Sequence, residues 1–240
     1  MRDVAAELHA VRERIARATQ RAGRPAESVR LIAVSKGHSA EHLRRGIEAG
    51  CADLGENYVQ ELVGKLDALA DAPVRWHLIG PLQRNKVRHV AARIAMLHTL
   101  DSAPLAQELE KRCAAANVTL DVLCQVNVGE EPQKHGVRAE ELPALLRAAT
   151  ACPHLRVRGL MTIPPFFDEP ERARPLFRAL RVLRDEACRA EPALCLDELS
   201  MGMSGDFEVA IEEGATLVRI GTAIFGERNR SAATDEDVNA

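Results

Sequence analysis

The chain has 240 residues, of which 46% are hydrophobic and 28% charged, values typical of a soluble globular protein with a sizeable core. Its formal net charge of −3 gives no electrostatic reason to expect nucleic acid or an anionic membrane as a partner. No apolar run approaches the ~20 residues that span a bilayer, and the first residues carry acids instead of an apolar signal core. We therefore expect a cytoplasmic protein.

The chain is predicted to open with an amphipathic helix over 3–22, because its apolar residues recur at intervals of three and four. Strands and helices alternate after it. The predicted strands are 31–34, 52–54, 75–79, 94–100, 120–128, 155–161, 196–201 and 216–220. The predicted helices between them are 39–50, 57–69, 83–90, 105–116, 139–151, 171–189 and 206–213.

Eight strands that alternate with helices through mostly short connections indicate a parallel sheet. Eight such units in under 250 residues favour a closed barrel over an open doubly wound sheet. The Gly-x-Gly-x-x-Gly loop of a dinucleotide-binding sheet follows none of the strands. We therefore predict an α/β protein with a single (β/α)8 TIM barrel over 1–226 and an extra N-terminal helix. Residues 227–240 are polar and aperiodic, which predicts a disordered tail.

The six cysteines and eight histidines are spread along the chain without the spacing of a ligand cluster. The cysteines form no Cys-x-x-Cys pair, and most lie in apolar or helical stretches. We expect reduced, mostly buried thiols instead of disulfides or zinc ligands. The scattered histidines likewise predict no metal site.

Lys36 ends the first predicted strand, at the end of a barrel where active sites lie. The chain has five lysines against 27 arginines, so arginine is its usual surface cation. A lysine here suggests chemistry, because an amine can lose its proton and condense with an aldehyde, whereas a guanidinium cannot. Lys65 and Lys111 follow polar residues by four positions and are interpreted as parts of solvated helix faces. Lys134, after the fifth strand, is the next candidate at the barrel mouth.

Two glycine-rich turns, after the seventh and eighth strands, predict a phosphate site. The first, 200–206, contains Ser204 between two glycines, and the second is Gly221 followed by Thr222. Barrels often bind phosphate with these two loops, because glycine permits close approach and N–H and hydroxyl groups bind the anion. Arg219 alternates with apolar residues along the eighth strand, so it is expected to point into the barrel.

A Schiff-base lysine and a phosphate cradle together define a ligand with a carbonyl and a phosphate. Pyridoxal 5′-phosphate fits, and so does a phosphosugar held by a class I aldolase. Arg219 favours the former, because a guanidinium beside a pyridine nitrogen keeps that nitrogen unprotonated. A structural ion pair is the alternative interpretation of Arg219.

Five motifs, in order along the chain, carry a resemblance to a known family. They are Ile32–Lys36, Leu54–Tyr58, Trp76–Lys86, Leu199–Asp206 and Val218–Gly226. Together they resemble the pyridoxal phosphate homeostasis proteins, the YggS/PROSC family, over roughly residues 5–226. Members of that family have the barrel of the alanine racemase N-terminal domain.

The resemblance implies pyridoxal 5′-phosphate (PLP) as the cofactor and assigns eight residues to it. They are Lys36 for the internal aldimine, Ser204, Gly221 and Thr222 for the phosphate, Arg219 for the pyridine nitrogen, Asn57 and Met201 for the ring, and His77 near the ring.

Racemisation on this cofactor needs a base on each face of a planar intermediate. In racemases that the family resembles, the second base is a tyrosine of a separate C-terminal β domain of the partner subunit. We do not expect that domain here, because the sequence ends 14 residues after the last motif, and its only tyrosine is Tyr58. We therefore expect a protein that holds PLP as a reversible lysine aldimine and takes part in intracellular vitamin B6 and amino-acid homeostasis, without efficient catalysis. A PLP-dependent amino-acid racemase is the alternative.

The expected partners are PLP and, as transient acceptors, apo forms of PLP-dependent enzymes. We expect no nucleic acid and no membrane as a partner, and a monomeric chain.

Overall fold

A closed barrel of eight parallel strands forms the centre of the computed structural model, which describes residues 3–131 and 133–227. The strands are β1 (Arg30–Val34), β2 (Asp53–Glu56), β3 (Arg75–Leu78), β4 (Met96–Leu100), β5 (Leu120–Gln125), β6 (Leu155–Met161), β7 (Glu198–Ser200) and β8 (Leu217–Ile220). The strands pair in sequence order, and β8 closes on β1 with Ile220 opposite Ala33. The predicted TIM barrel is confirmed.

Helices surround this barrel. They are α1 (Val4–Arg21), α2 (Ala40–Glu48), α3 (Val59–Ala68), α4 (Ala103–Ala116), α5 (Leu142–Thr150), α6 (Arg174–Ala190), α7 (Phe207–Glu212) and α8 (Thr222–Phe225). The extra helix α1 contacts α7, α8 and α2. It therefore completes the helical ring where α8, at four residues, is too short to cover the strands alone.

Two helix starts follow from their capping residues. The Asp3 side chain accepts hydrogen bonds from the backbone N–H groups of Ala5 and Ala6 at the start of α1. At the start of α2, the Ser39 hydroxyl accepts from the backbone N–H of His42 at 3.3 Å. The first N–H groups of a helix have no carbonyl partner within the helix, and these two side chains accept from them. The local sequence therefore sets the starts of α1 and α2.

Two predicted elements and one unpredicted helix are the main differences between the sequence prediction and the structure. The helix predicted over 83–90 is a 3₁₀ helix, Arg84–His89, in which only Val87 is buried. The strand predicted over 120–128 ends at Gln125, and Val126 forms an isolated bridge to Val137. The short α8 was not predicted, since four residues carry too little periodicity to be recognised.

Other sequence predictions concern the termini and the cysteines. All six cysteines are free in the structure. Four of them are buried, and the expectation that most of the thiols are buried is met. Burial raises the pKa of the Cys51 and Cys113 thiols to about 11, which keeps them protonated at neutral pH. Within 3–131 and 133–227, the helices are too short or too polar to cross a membrane. The tail predicted over 227–240 lies outside the described residues except for Glu227.

The hydrophobic residues form two layers. One packs the outside of the strands against the helices. The other fills the barrel interior and consists of Ile32, Ile79, Met96, Leu123, Met161 and Leu217. The remaining interior volume holds buried polar side chains, among them His77, His98 and Arg219. Each polar or charged group in a barrel core requires a hydrogen-bond or ion-pair partner.

An ion network joins α6 to the end of α7. Glu213 is buried, with 4% exposure, and accepts hydrogen bonds from Arg174, Arg178 and Arg181. Hydrogen bonds from Arg178 and Arg174 hold the pKa of the Glu213 carboxyl below its usual range, although burial opposes them. Because the pKa is lower in the folded state, Glu213 stabilises the fold at neutral pH.

Glu213→Gln is expected to lower the free energy of unfolding by about 1.5–3 kcal/mol at neutral pH, the range for hydrogen bonds to charged groups. In the wild type this contribution is present above the unfolded pKa of about 4.3 and is lost as pH falls through the folded pKa. Urea unfolding at several pH values measures both effects. Glu186→Gln, on the exposed side of α6, is the control, and an equal loss there would contradict the prediction.

Candidate functional site

Lys36 lies just beyond the carboxyl end of β1 and is partly buried. Its Nζ sits 4.5 Å from the centre of the Tyr58 ring, which follows β2. Within the described part of the chain, this amine has neither a hydrogen-bond partner nor a carboxylate at ion-pair distance. An amine held against an aromatic face and free of acceptors is available to react with an aldehyde. Tyr58 was not predicted to contact Lys36; the pairing of β1 with β2 brings them together.

Lys65 forms a buried ion cluster beneath this loop. Its side chain is 9% exposed, and Nζ donates to the carboxylates of Glu56 at 2.5 Å and Glu61 at 2.7 Å. The prediction that Lys65 belongs to a solvated helix face is wrong. The Lys65 amine does pair with Glu61, four residues before it. It also pairs with Glu56 at the end of β2, and this second contact holds the amine in the interior. The scarcity of lysine was the sequence signal that could have marked it.

The same cluster holds the backbone on both sides of Lys36. Lys65 Nζ donates to the carbonyl of Ser35 at 2.8 Å, and the Gly37 N–H donates to Glu61 at 3.0 Å. Burial alone would raise the pKa of Glu61, but hydrogen bonds from Lys65 and Gly37 lower it. Glu61 is therefore ionised at neutral pH, and the cluster fixes the position from which the Lys36 side chain extends.

The predicted phosphate cradle is assembled from the turns after β7 and β8. The Thr222 hydroxyl donates to the Ser204 hydroxyl at 3.2 Å. Gly202 has φ of +92°, and a Cβ there would lie 2.6 Å from the Ala210 Cβ, so this turn requires glycine. A Cβ on Gly221 would lie 3.1 Å from the Cβ of Val34. The cradle thus borders the end of β1, two residues before Lys36.

Arg219 points into the barrel, as its position in the strand pattern predicted. It is 3% exposed, and its Nη1 donates to the Ser200 hydroxyl at 2.6 Å and its Nη2 to the Thr162 carbonyl at 2.9 Å. Neither partner is a carboxylate, and the described residues place no carboxylate at ion-pair distance from it, in contrast to the structural ion pair considered as an alternative. Burial lowers the pKa of Arg219 to about 10, so the guanidinium is still charged at neutral pH.

His77 is buried with both ring nitrogens occupied. Nε2 lies 2.9 Å from Asp53 Oδ1, and Nδ1 lies 3.0 Å from His98 Nε2. His98 Nδ1 in turn lies 2.9 Å from the Ser200 hydroxyl, which also contacts Arg219. The predicted contact of His77 with a ligand ring stays a prediction. Asp53, His98 and Ser200 were missed as site residues, because only the closed barrel makes their inward faces neighbours.

Asn57 and Met201 occupy different surroundings. Asn57 is partly buried after β2, and a Cβ on Gly80 would lie 2.2 Å from its carbonyl oxygen, so Gly80 permits this backbone to pass. Met201 is fully buried in the layer between strands and helices, and its N–H donates to the Leu217 carbonyl at 3.1 Å. Their predicted contacts with a ring stay predictions.

Comparisons with known proteins identify the family of the chain. Residues 6–229 match the family model of the alanine racemase N-terminal domain. The chain is 49% identical over 221 residues to the pyridoxal phosphate homeostasis protein of Aquifex aeolicus, covering 92% of this chain and 96% of that one. It is 42% identical over 234 residues to the protein of the same name from Escherichia coli K12, covering 96% and 99%.

Among solved structures, that of PipY from Synechococcus elongatus PCC7942 with PLP bound has a TM-score of 0.82 at 35% identity, covering 93% of this chain and 100% of PipY. The match extends over nearly the full length of relatives and of the barrel alike. The chain therefore belongs to the pyridoxal phosphate homeostasis proteins, within the alanine racemase N-terminal domain family.

Proposed function

We propose that this protein binds PLP as a reversible aldimine of Lys36 and serves intracellular vitamin B6 and amino-acid homeostasis. The observation that carries the proposal is the unpaired Lys36 amine beside the cradle of Ser204 and Thr222. The solved structure of PipY with PLP bound supports the same ligand for this chain.

The binding reaction is a reversible condensation. Lys36 Nζ attacks the aldehyde carbon, a C=N bond forms, and the aldehyde oxygen leaves as water; addition of water reverses each change. Because neither partner is consumed, the cofactor can be released to an acceptor. We propose apo forms of PLP-dependent enzymes as these acceptors, and a monomeric carrier.

The remaining residues fit the other ends of the cofactor. We assign Ser204, Gly221 and Thr222 to the phosphate, since hydroxyl and backbone N–H groups donate to a phosphate dianion. We assign Arg219 to the pyridine nitrogen, because its two fixed acceptors leave other N–H groups of the guanidinium for that atom. Asn57, Met201 and His77 are assigned to the surroundings of the ring.

We further propose that the protein has no efficient catalysis of its own. A charged arginine at the pyridine nitrogen disfavours protonation of that atom, which weakens the ring as an electron sink. Tyr58 packs its ring against the Lys36 amine, which ties the only tyrosine to the first base. The relatives are named for homeostasis and not for a reaction. An amino-acid racemase is the second candidate, because Lys36 could act as one base.

Two measurements on the purified protein test these proposals. With added PLP the protein is expected to turn yellow, and borohydride is expected to fix the cofactor to it. The loaded protein is also expected to restore activity to an apo PLP enzyme. It is expected to show no steady racemisation of alanine. A protein that stays colourless would contradict PLP binding, and steady racemisation at enzymatic rates would establish the racemase.

A further inference from the structure

Four buried side chains connect Arg219 to the amino end of the barrel. We call Asp53, His77, His98 and Ser200 the barrel relay; each is at most 3% exposed. Its members come from β2, β3, β4 and β7, and consecutive members lie 2.9–3.0 Å apart. Beyond Asp53 the contacts reach Arg75, whose Nε and Nη2 donate to both carboxylate oxygens and whose side chain is 56% exposed.

Asp53 fixes the hydrogen-bond direction at one end of the barrel relay, and the tautomers of the two histidines set the directions between Asp53 and Ser200. Hydrogen bonds from His77 and Arg75 outweigh burial and keep the pKa of Asp53 below its usual value, so its oxygens only accept. His77 therefore donates through Nε2–H. Burial lowers the pKa of His98 well below its usual value, so His98 is neutral and carries one N–H. In the barrel relay this N–H is assigned to Nε2, where it donates to His77 Nδ1.

The hydroxyl of Ser200 completes this sequence. With His98 Nδ1 as an acceptor, the Ser200 proton donates to it, and the Ser200 oxygen accepts from Arg219 Nη1. Every polar side-chain atom between Arg219 and Asp53 then has a hydrogen-bond partner. Hydrogen bonds aligned in this way polarise one another in a low-dielectric interior. The Asp53 carboxylate lies at the far end of these hydrogen bonds, and the Asp206 carboxylate also acts on Arg219, where its charge opposes the lowering of the Arg219 pKa by burial.

We propose that the barrel relay positions Arg219, holding its guanidinium as a fixed donor toward the pyridine nitrogen of bound PLP. This inference rests on the proposed function. Asp53, His77, His98 and Ser200 act through Arg219 and are positioning residues. The Ser200 oxygen and the Thr162 carbonyl are both acceptors, so they hold two guanidinium nitrogens and orient the N–H groups that remain.

A purely structural role for the barrel relay makes a different prediction. In that case the paired polar groups would only fill the barrel and support the fold. Loss of the relay would then weaken the binding of every ligand equally. A positioning role affects only ligands that present an acceptor to Arg219. An analogue of PLP with C–H in place of the pyridine nitrogen separates the two cases, because it keeps the aldehyde and the phosphate.

The experiment measures dissociation constants of PLP and of this analogue for the full chain and three variants. Ser200→Ala breaks the relay at the side chain that contacts Arg219. Asp53→Asn removes the negative charge at the other end of the relay, with three side chains between it and Arg219. Thr19→Val is the control, since it removes a buried hydroxyl that bonds the Ala16 carbonyl on α1, outside the barrel.

Ser200→Ala is expected to raise the dissociation constant of PLP about tenfold, a typical effect of losing a hydrogen bond to a charged group. Asp53→Asn is expected to act in the same direction with a smaller effect. Binding of the analogue should be unchanged within a factor of about two, as for uncoupled sites, so the preference for PLP falls. Thr19→Val should leave that preference unchanged. Equal weakening of both ligands, or no weakening of PLP in Ser200→Ala, would overturn the positioning role.

Nitrogen-15 NMR of the imidazoles in ligand-free protein gives a second test that needs no PLP. Both histidines should be neutral and carry the proton on Nε2, and Ser200→Ala should shift the His98 Nδ1 signal. A proton on His98 Nδ1 would overturn the relay even if PLP binds. Failure of the wild type to bind either ligand, with the predicted tautomers present, would count against the proposed function alone.

Discussion

Lys36→Ala is expected to abolish the yellow aldimine completely. Alanine has no amine to condense with the aldehyde, whereas the hydroxyls of Ser204 and Thr222 still offer donors to the phosphate. Some noncovalent cofactor should therefore remain bound. Visible absorbance with added PLP, followed by borohydride reduction and peptide mapping, measures the covalent link and its position separately.

Lys134→Ala is the matched control for this experiment. The Lys134 amine is already paired with Glu131 at 2.6 Å, and it also lies 3.4 Å from the Ile163 carbonyl, so it is expected to be a poor nucleophile. The control should stay yellow. If Lys36→Ala also stays yellow and is fixed by borohydride, another lysine is the partner, and Lys134 is the first to examine.

Lys65→Met is expected to lower the free energy of unfolding by about 3–5 kcal/mol, the cost of removing one partner from a buried ion pair. The substitution leaves the Glu56 carboxylate buried without its cation and the Ser35 carbonyl without the Lys65 amine. Because Ser35 precedes Lys36, formation of the aldimine should slow in the folded fraction. Urea unfolding and the rate of yellow colour formation measure the two effects.

Lys111→Met, on the exposed face of α4, is the control and should change the free energy of unfolding by less than about 0.5 kcal/mol. Adding Glu56→Gln to Lys65→Met removes the unpaired charge and should recover part of the loss. A Lys65→Met protein as stable as the control would show that the cluster is not an energetically coupled unit.

Much of the fold could be read from local pattern. The alternation of apolar strands with amphipathic helices predicted all eight strands and the helix that begins near residue 39, because both depend on residues a few positions apart. Short elements were less predictable. The 3₁₀ helix Arg84–His89 and the four-residue α8 bury too few residues to produce a recognisable hydrophobic periodicity in the sequence.

The candidate site divides in the same way. A rare lysine at a strand end and two glycine-rich turns predicted Lys36, Ser204 and Thr222 as site residues, and in the structure the two hydroxyls lie within hydrogen-bond distance of each other. Motif order also pointed to His77, but not to what it contacts. Its partners Asp53 and His98 are 24 and 21 residues away, and neither lies in a pattern that indicates a polar interior.

The sequence by itself determined the order of elements and the barrel class, and it predicted a reactive lysine at the end of β1, since each arises from short-range periodicity and strand-end chemistry. The tertiary structure decided which polar groups face one another. His98 meets Ser200 across 102 residues, and Lys65 turns inward only because Glu56 ends the neighbouring strand. Barrel closure brings such positions together, and the low dielectric of the interior then makes each pairing obligatory.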